Sequence, residues 1–119
     1  MDLLSDESDR DQATLDRRST SGPRATDLSG RDWTRFSISV WNDIRQTPDE
    51  RRLSHQAMFP TMLVDRLIQC FTSSGNSVVL DPFTGSGSTL VAAQNRGKSA
   101  IGFEVYGPFI DLTHERLRQ

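Results

Sequence analysis

Val78-Val79-Leu80-Asp81-Pro82-Phe83-Thr84-Gly85-Ser86-Gly87-Ser88-Thr89-Leu90-Val91-Ala92-Ala93 reads as a short apolar strand ending on an acid, a glycine turn and the opening of a helix. Gly85 and Gly87 lack a Cβ, so the backbone can turn sharply there and a ligand can come close to it. Ser99 to Glu104 reads as a second strand, also ending on an acid, about 20 residues beyond the glycines. This spacing predicts a parallel strand–helix–strand unit. Its carboxyl edge would carry a pocket for a nucleoside-bearing cofactor.

The helix that follows the glycines, expected from Ser86 to Arg96, favours negative charge at its start. A phosphate fits there, and so does a carboxylate such as the methionine end of S-adenosylmethionine. Asp81 is placed to meet a ligand amino group directly or through water. Glu104 can accept hydrogen bonds from both ribose hydroxyls, and Val105 would lie against the adenine face. The same stretch also makes sense as a purely structural turn. Two other nucleotide motifs fail. The third glycine of a dinucleotide fingerprint would fall on Leu90. A phosphate-loop reading of Gly97-Lys98-Ser99 meets Ala92 where glycine is required, and its lysine ends a helix instead of opening one.

Upstream, Thr61 to Phe71 carries Leu63, Val64, Leu67, Ile68 and Phe71 at helical spacing. Thr47-Pro48-Asp49-Glu50 is a helix start, with a capping threonine, proline at the first position and glutamate three residues on. Phe36, Ile38 and Val40 alternate, which predicts a short strand or an extended arm between Arg31 and Ile44. Gly97 suits a left-handed helix cap, and Gly107-Pro108 opens a last helix. Residues 1–30 hold seven acids, four arginines and no aromatic residue, so they read as a disordered polar tail ahead of a domain at 31–119.

The 119 residues suffice for one small domain, and the net charge of −2 argues against a polycation that seeks phosphate. There is no signal-peptide pattern or transmembrane run, and the single cysteine, Cys70, has no partner for an internal disulfide. The expected setting is the reducing cytoplasm, without membrane attachment. His55 and His114 are the only histidines and form no metal set.

Asp81-Pro82-Phe83-Thr84-Gly85-Ser86-Gly87-Ser88-Thr89 resembles the cofactor motif of the amino DNA methyltransferases, which methylate cytosine N4 or adenine N6. Ile101-Gly102-Phe103-Glu104, with Phe109 and Glu115-Arg116-Leu117, is similar to the family's second motif and its helix. His55-Gln56-Ala57-Met58-Phe59-Pro60, with the helix after it, looks like the segment that closes over the methionine moiety. The resemblance departs at Ser88, Phe109 and Gln56, where the family usually has threonine, tyrosine and proline. It implies an α/β fold, a partial Rossmann-like methyltransferase domain with an incomplete parallel sheet and flanking helices. It also implies S-adenosylmethionine as cofactor. The implied cofactor-binding residues are His55, Phe59, Pro60, Asp81, Pro82, Phe83, Gly85, Ser86, Gly87, Glu104 and Val105. His55 would act by position, and Phe59 and Pro60 serve equally well as packing residues.

Methyl transfer to an exocyclic amine also needs a group that localises the nitrogen lone pair and takes its proton. In the family this falls to a Ser/Asp/Asn-Pro-Pro-Tyr/Phe loop that stacks on an extruded base. The five prolines stand at 23, 48, 60, 82 and 108, no two adjacent, so these residues hold no such loop and no catalytic residue is assigned. The expectation is a chain inactive alone, with the catalytic half beyond Gln119 or on a second methyltransferase polypeptide, and with DNA met through that half. Such a partial sheet should expose an apolar edge and face. The alternative is a non-catalytic relic that pairs with a complete methyltransferase.

Overall fold

A computed structural model describes residues 25–53 and 57–119. The tail expected over 1–30 therefore falls mostly outside the described residues, as does His55.

The centre is the strand–helix–strand unit. Strand β1 (Val78–Asp81) pairs in parallel with β2 (Ser99–Gly102), in the register Val78 to Ser99 and Leu80 to Ile101. Between them runs a helix at Ser88–Asn95, two residues shorter at its start than the sequence suggests because Gly87 still belongs to the turn. Its end follows local rules. Gly97 has φ +62°, its N–H donates to the Gln94 carbonyl (2.9 Å), and the Lys98 N–H donates to the Ala93 carbonyl (2.9 Å). That is a Schellman cap.

Among the described residues, three helices precede β1 and one follows β2. In chain order the helices are α1 (Gly30–Phe36), α2 (Pro48–Arg52), α3 (Thr61–Phe71), α4 (Ser88–Asn95) and α5 (Gly107–Leu117). The α2 start is a complete capping box. The Thr47 hydroxyl accepts the Glu50 N–H (3.1 Å) and the Glu50 carboxylate accepts the Thr47 N–H (2.8 Å). Helix α3 runs over the span that its periodicity predicts.

Side-chain size fixes the layering. Ala92 and Ala93 are fully buried and let α4 lie close to Val64 and Ile68 of α3 on one side and to Val79 and Ala100 of the sheet on the other. Gly102 permits the same closeness at β2, because a Cβ there would collide with Thr84 Oγ1 and come within 2.8 Å of Leu90 Cδ1. The other sheet face is open. Val78, Leu80, Ile101 and Phe103 alternate onto it and are 51–63% exposed. Leu67 and Phe71 on α3 are likewise uncovered. The apolar face expected of a partial sheet is present.

The segment before α2 departs from the strand expectation. Ser29 caps α1 by accepting the Asp32 N–H (3.1 Å), so Phe36 ends a helix, and Ile38 to Gln46 is irregular. The aromatic residues here serve a cation instead of a strand. The buried Arg66 guanidinium lies 4.8 Å from the Phe36 ring centre and 5.2 Å from that of Trp41. It also grips Asp43 with two parallel bonds of 2.8 and 2.7 Å. The arm is thereby clamped to α3.

The Arg66 hydrogen bond holds the Asp43 carboxyl at about 2, down from 3.8, although burial alone would push it up. The folded-state value lies below the unfolded one. The resulting stabilisation is therefore complete above 3.8 and is lost as pH falls toward about 2. The urea midpoint, followed by tryptophan fluorescence, should drop through that window more steeply in the natural chain than in Asp43→Asn. Parallel pH dependence in the two would contradict the clamp.

Candidate functional site

The two strand tips are stitched together by the turn. The Asp81 carboxylate accepts the Phe83 N–H (2.9 Å), and its carbonyl accepts the Phe103 N–H (3.0 Å) and the Thr84 hydroxyl (3.1 Å). The Thr84 N–H donates back to the Phe103 carbonyl (2.9 Å). Pro82 and Phe83 form the outer corner, and the Phe83 ring is almost wholly exposed.

The glycines come next. Gly85 (φ +54°) donates its N–H to Glu104 Oε2 (2.9 Å), and its carbonyl accepts the Thr113 hydroxyl (3.2 Å). Gly87 (φ +84°) donates to the Thr84 carbonyl (3.0 Å) and caps α4. A Cβ on Gly87 would lie 2.6 Å from Thr113 Cγ2, so both backbone angle and space demand glycine. Ser86 between them is buried.

Glu104 is the second acid. Besides Gly85, its Oε1 accepts the N–H groups of Val105 and Tyr106, each at 2.8 Å. One carboxylate thus ties the glycine turn to the end of β2 and to the entry of α5. Val105 is fully exposed beside it, and Tyr106 meets Phe109 edge to face at 5.0 Å.

Three of the expected residues line two separate cavities, which Pro60, Pro82, Phe83, Gly85, Ser86, Gly87 and Val105 do not line. Phe59 and Asp81 line an open groove of about 570 Å³ between α3 and β1, together with Leu63, Thr89 and Leu80. Glu104 lines a smaller hollow of about 250 Å³ with Thr84, Leu90, Thr113 and His114. Pro60 supplies the cap residue of α3, and its carbonyl accepts the Leu63 N–H (2.9 Å). His55 is outside the described residues. Among the described residues, no three His, Cys, Asp or Glu side chains gather as a metal site, and no helix is long and apolar enough to cross a membrane.

Sequence reasoning named Arg116 only within the motif Glu115-Arg116-Leu117 and gave it no role, and the second role of Glu50 was not read from it. Arg116 Nη1 donates to the Ser86 carbonyl (2.6 Å), and Nη2 donates to the Thr61 hydroxyl (3.2 Å) and faces Glu50 at 3.5 Å. Burial lowers the Arg116 value, partly offset by Glu50. Burial pushes Glu50 up, but hydrogen bonds from Thr61 and Thr47 and the Arg116 charge prevail and lower it. Besides that motif, the available signal was the three-residue spacing of Thr113 and Arg116, which puts both on one face of α5.

This chain belongs to the DNA methylase family of the N6/N4 type, which it matches over residues 6–115. It is 39% identical over 84 residues to the type II methyltransferase M.ScaI of Streptomyces caespitosus, covering 66% of this chain and 27% of that protein. To M.BglI of Bacillus subtilis it is 36% identical over 93 residues, 76% of this chain and 25% of that one. Among solved structures, the DNA modification methylase TTHA0409 of Thermus thermophilus, complexed with S-adenosyl-L-methionine, aligns with a TM-score of 0.58 at 38% identity. That alignment covers 75% of this chain and 32% of the other. The family uses S-adenosylmethionine. The present chain thus spans about a quarter to a third of the length of these relatives.

Gly87→Ala should destabilise the fold through both its backbone angle and its contact with Thr113. In a Thr113→Ala background the cost should shrink toward the angular part, about 1–2 kcal/mol, with only the 3.0 Å approach of the residue-113 Cβ added to it. Urea denaturation of the double-mutant cycle measures this. An equal cost in both backgrounds would contradict the contact with Thr113.

Proposed function

We propose that this chain is the S-adenosylmethionine-binding portion of a DNA methyltransferase that acts on an exocyclic amino group, cytosine N4 or adenine N6. The observation that carries the reading is the glycine turn locked between two acidic strand tips. Positive φ at Gly85 and Gly87 bends the backbone sharply at the strand tip, and the Asp81 and Glu104 carboxylates flank that bend, an acceptor set that fits a ligand's amino group and ribose hydroxyls. Glu104 would hold the ribose, with Val105 against the adenine. Phe59, Pro60, Asp81, Pro82, Phe83, Gly85, Ser86 and Gly87 would border the methionine end, with His55 beside them.

When bound, the cofactor supplies a methyl group on a sulfonium. This chain's residues would bind it, orient it and shield one side of it. Taking up the amine's proton and holding the base need groups that these residues do not offer, since no two prolines are adjacent. We assign that work to a complementary half, on the same or a second polypeptide, through which DNA is met. The open sheet face of Val78, Leu80, Ile101 and Phe103 supports this, because an apolar face of that kind is ordinarily packed.

Calorimetric titration of the chain with S-adenosylmethionine should give saturable one-to-one binding. Glu104→Gln should weaken it about tenfold, the effect of losing charge at a hydrogen-bonding carboxylate. A methyl-transfer assay on DNA with the chain alone should read zero. Absence of binding at millimolar donor would overturn the cofactor assignment. Transfer by the isolated chain would overturn the assignment of catalysis elsewhere.

A further inference from the structure

Arg116 and Glu50 sit 66 positions apart, yet their side chains are 8% and 5% exposed and lie 3.5 Å from each other. Burying two charges carries a desolvation cost that a packed apolar pair would avoid. The bonds they make indicate what offsets it. Arg116 Nη1 holds the Ser86 carbonyl at 2.6 Å and reaches Ser88 Oγ at 3.3 Å and Met58 Sδ at 3.7 Å. Its Nη2 holds the Thr61 hydroxyl at 3.2 Å. Glu50 accepts the Thr61 N–H and the Thr47 N–H, both at 2.8 Å. Three stretches distant in sequence therefore converge on two side chains. They are the start of α2, the Met58–Thr61 turn and the glycine turn, with α5 supplying the guanidinium.

The Ser86–Gly87 peptide is fixed from both sides, its carbonyl by Arg116 and its N–H by the Thr84 carbonyl at 3.0 Å. Phe59 and Pro60 lie between Met58 and Thr61, which Arg116 touches on either side. One guanidinium thus spans the gap between the glycine turn and the segment that carries Phe59. Glu104 is held separately, by Gly85, Val105 and Tyr106.

We infer that Arg116, anchored by Glu50, is a positioning residue that sets the separation of these two walls and so governs affinity for the amino-acid end of the methyl donor, while the nucleoside end depends on Glu104. The inference rests on the cofactor reading above. Neither residue touches the reacting atoms. Lysine at 116 would keep the charge and lose the planar fork that bonds several oxygens at once.

The test compares two ligands by calorimetry on the full chain, S-adenosylmethionine and methylthioadenosine, which lacks the aminobutyrate end. In Arg116→Lys and in Glu50→Gln, S-adenosylmethionine should bind about tenfold more weakly, as expected for a lost charge-assisted bond. Methylthioadenosine should bind as in the natural chain. Thr61→Val is the milder variant for use if either of these fails to fold. It removes the hydroxyl that Arg116 holds and that also bonds Glu50, keeps the backbone N–H to Glu50, and should show the same selectivity with a smaller loss. Equal weakening of both ligands, or no weakening of S-adenosylmethionine, would overturn the positioning role. If the natural chain binds neither ligand, the cofactor reading itself falls.

Discussion

The structure depends on a single carboxylate placed between two strand ends. Glu104 receives the N–H of Gly85 from the first tip and those of Val105 and Tyr106 from its own loop. Three donors on one anion make a strong and directional joint. Around it the backbone of Asp81, Thr84 and Phe103 exchanges its own bonds. The glycine turn is therefore preset before any ligand arrives. A preset turn is what a binding site needs, since ordering a loop at the moment of binding would subtract from affinity.

The same core is built on one side only. Ala92 and Ala93 bring α4 against the sheet and against α3. The opposite face shows Val78, Leu80, Ile101 and Phe103 to solvent. An amphipathic α3 whose Leu67 and Phe71 remain uncovered tells the same story. The relatives are about two to three times as long as this chain, and in the function proposed above the complementary half is what covers such a surface.

What was legible in the sequence is what short-range rules decide. The Thr47–Glu50 box, the Gly97 cap and α3 all follow from spacing within a few residues, and the structure has them. The turn between β1 and α4 was legible for the same reason. The stretch at Phe36, Ile38 and Val40 was not, because its conformation answers to Arg66, a residue well downstream whose guanidinium lies against both Phe36 and Trp41. Arg116 was hidden in the same way. In sequence it is one residue of the Glu115-Arg116-Leu117 motif with no role attached, and only the fold brings Ser86, Thr61 and Glu50 to it. The bond from Gly85 to Glu104 lay between these cases. Spacing marked both residues as belonging to a site, and the structure adds that they hold each other.

The central claim is where the methyl donor lands. Amide chemical-shift mapping of the full chain with S-adenosylmethionine measures this directly. The expected perturbations group at Asp81–Gly87, Glu104–Tyr106 and Phe59–Thr61, with the open sheet face at Ile101 unmoved. Saturable shifts confined to that sheet face, with the glycine turn and Glu104 silent, would contradict it.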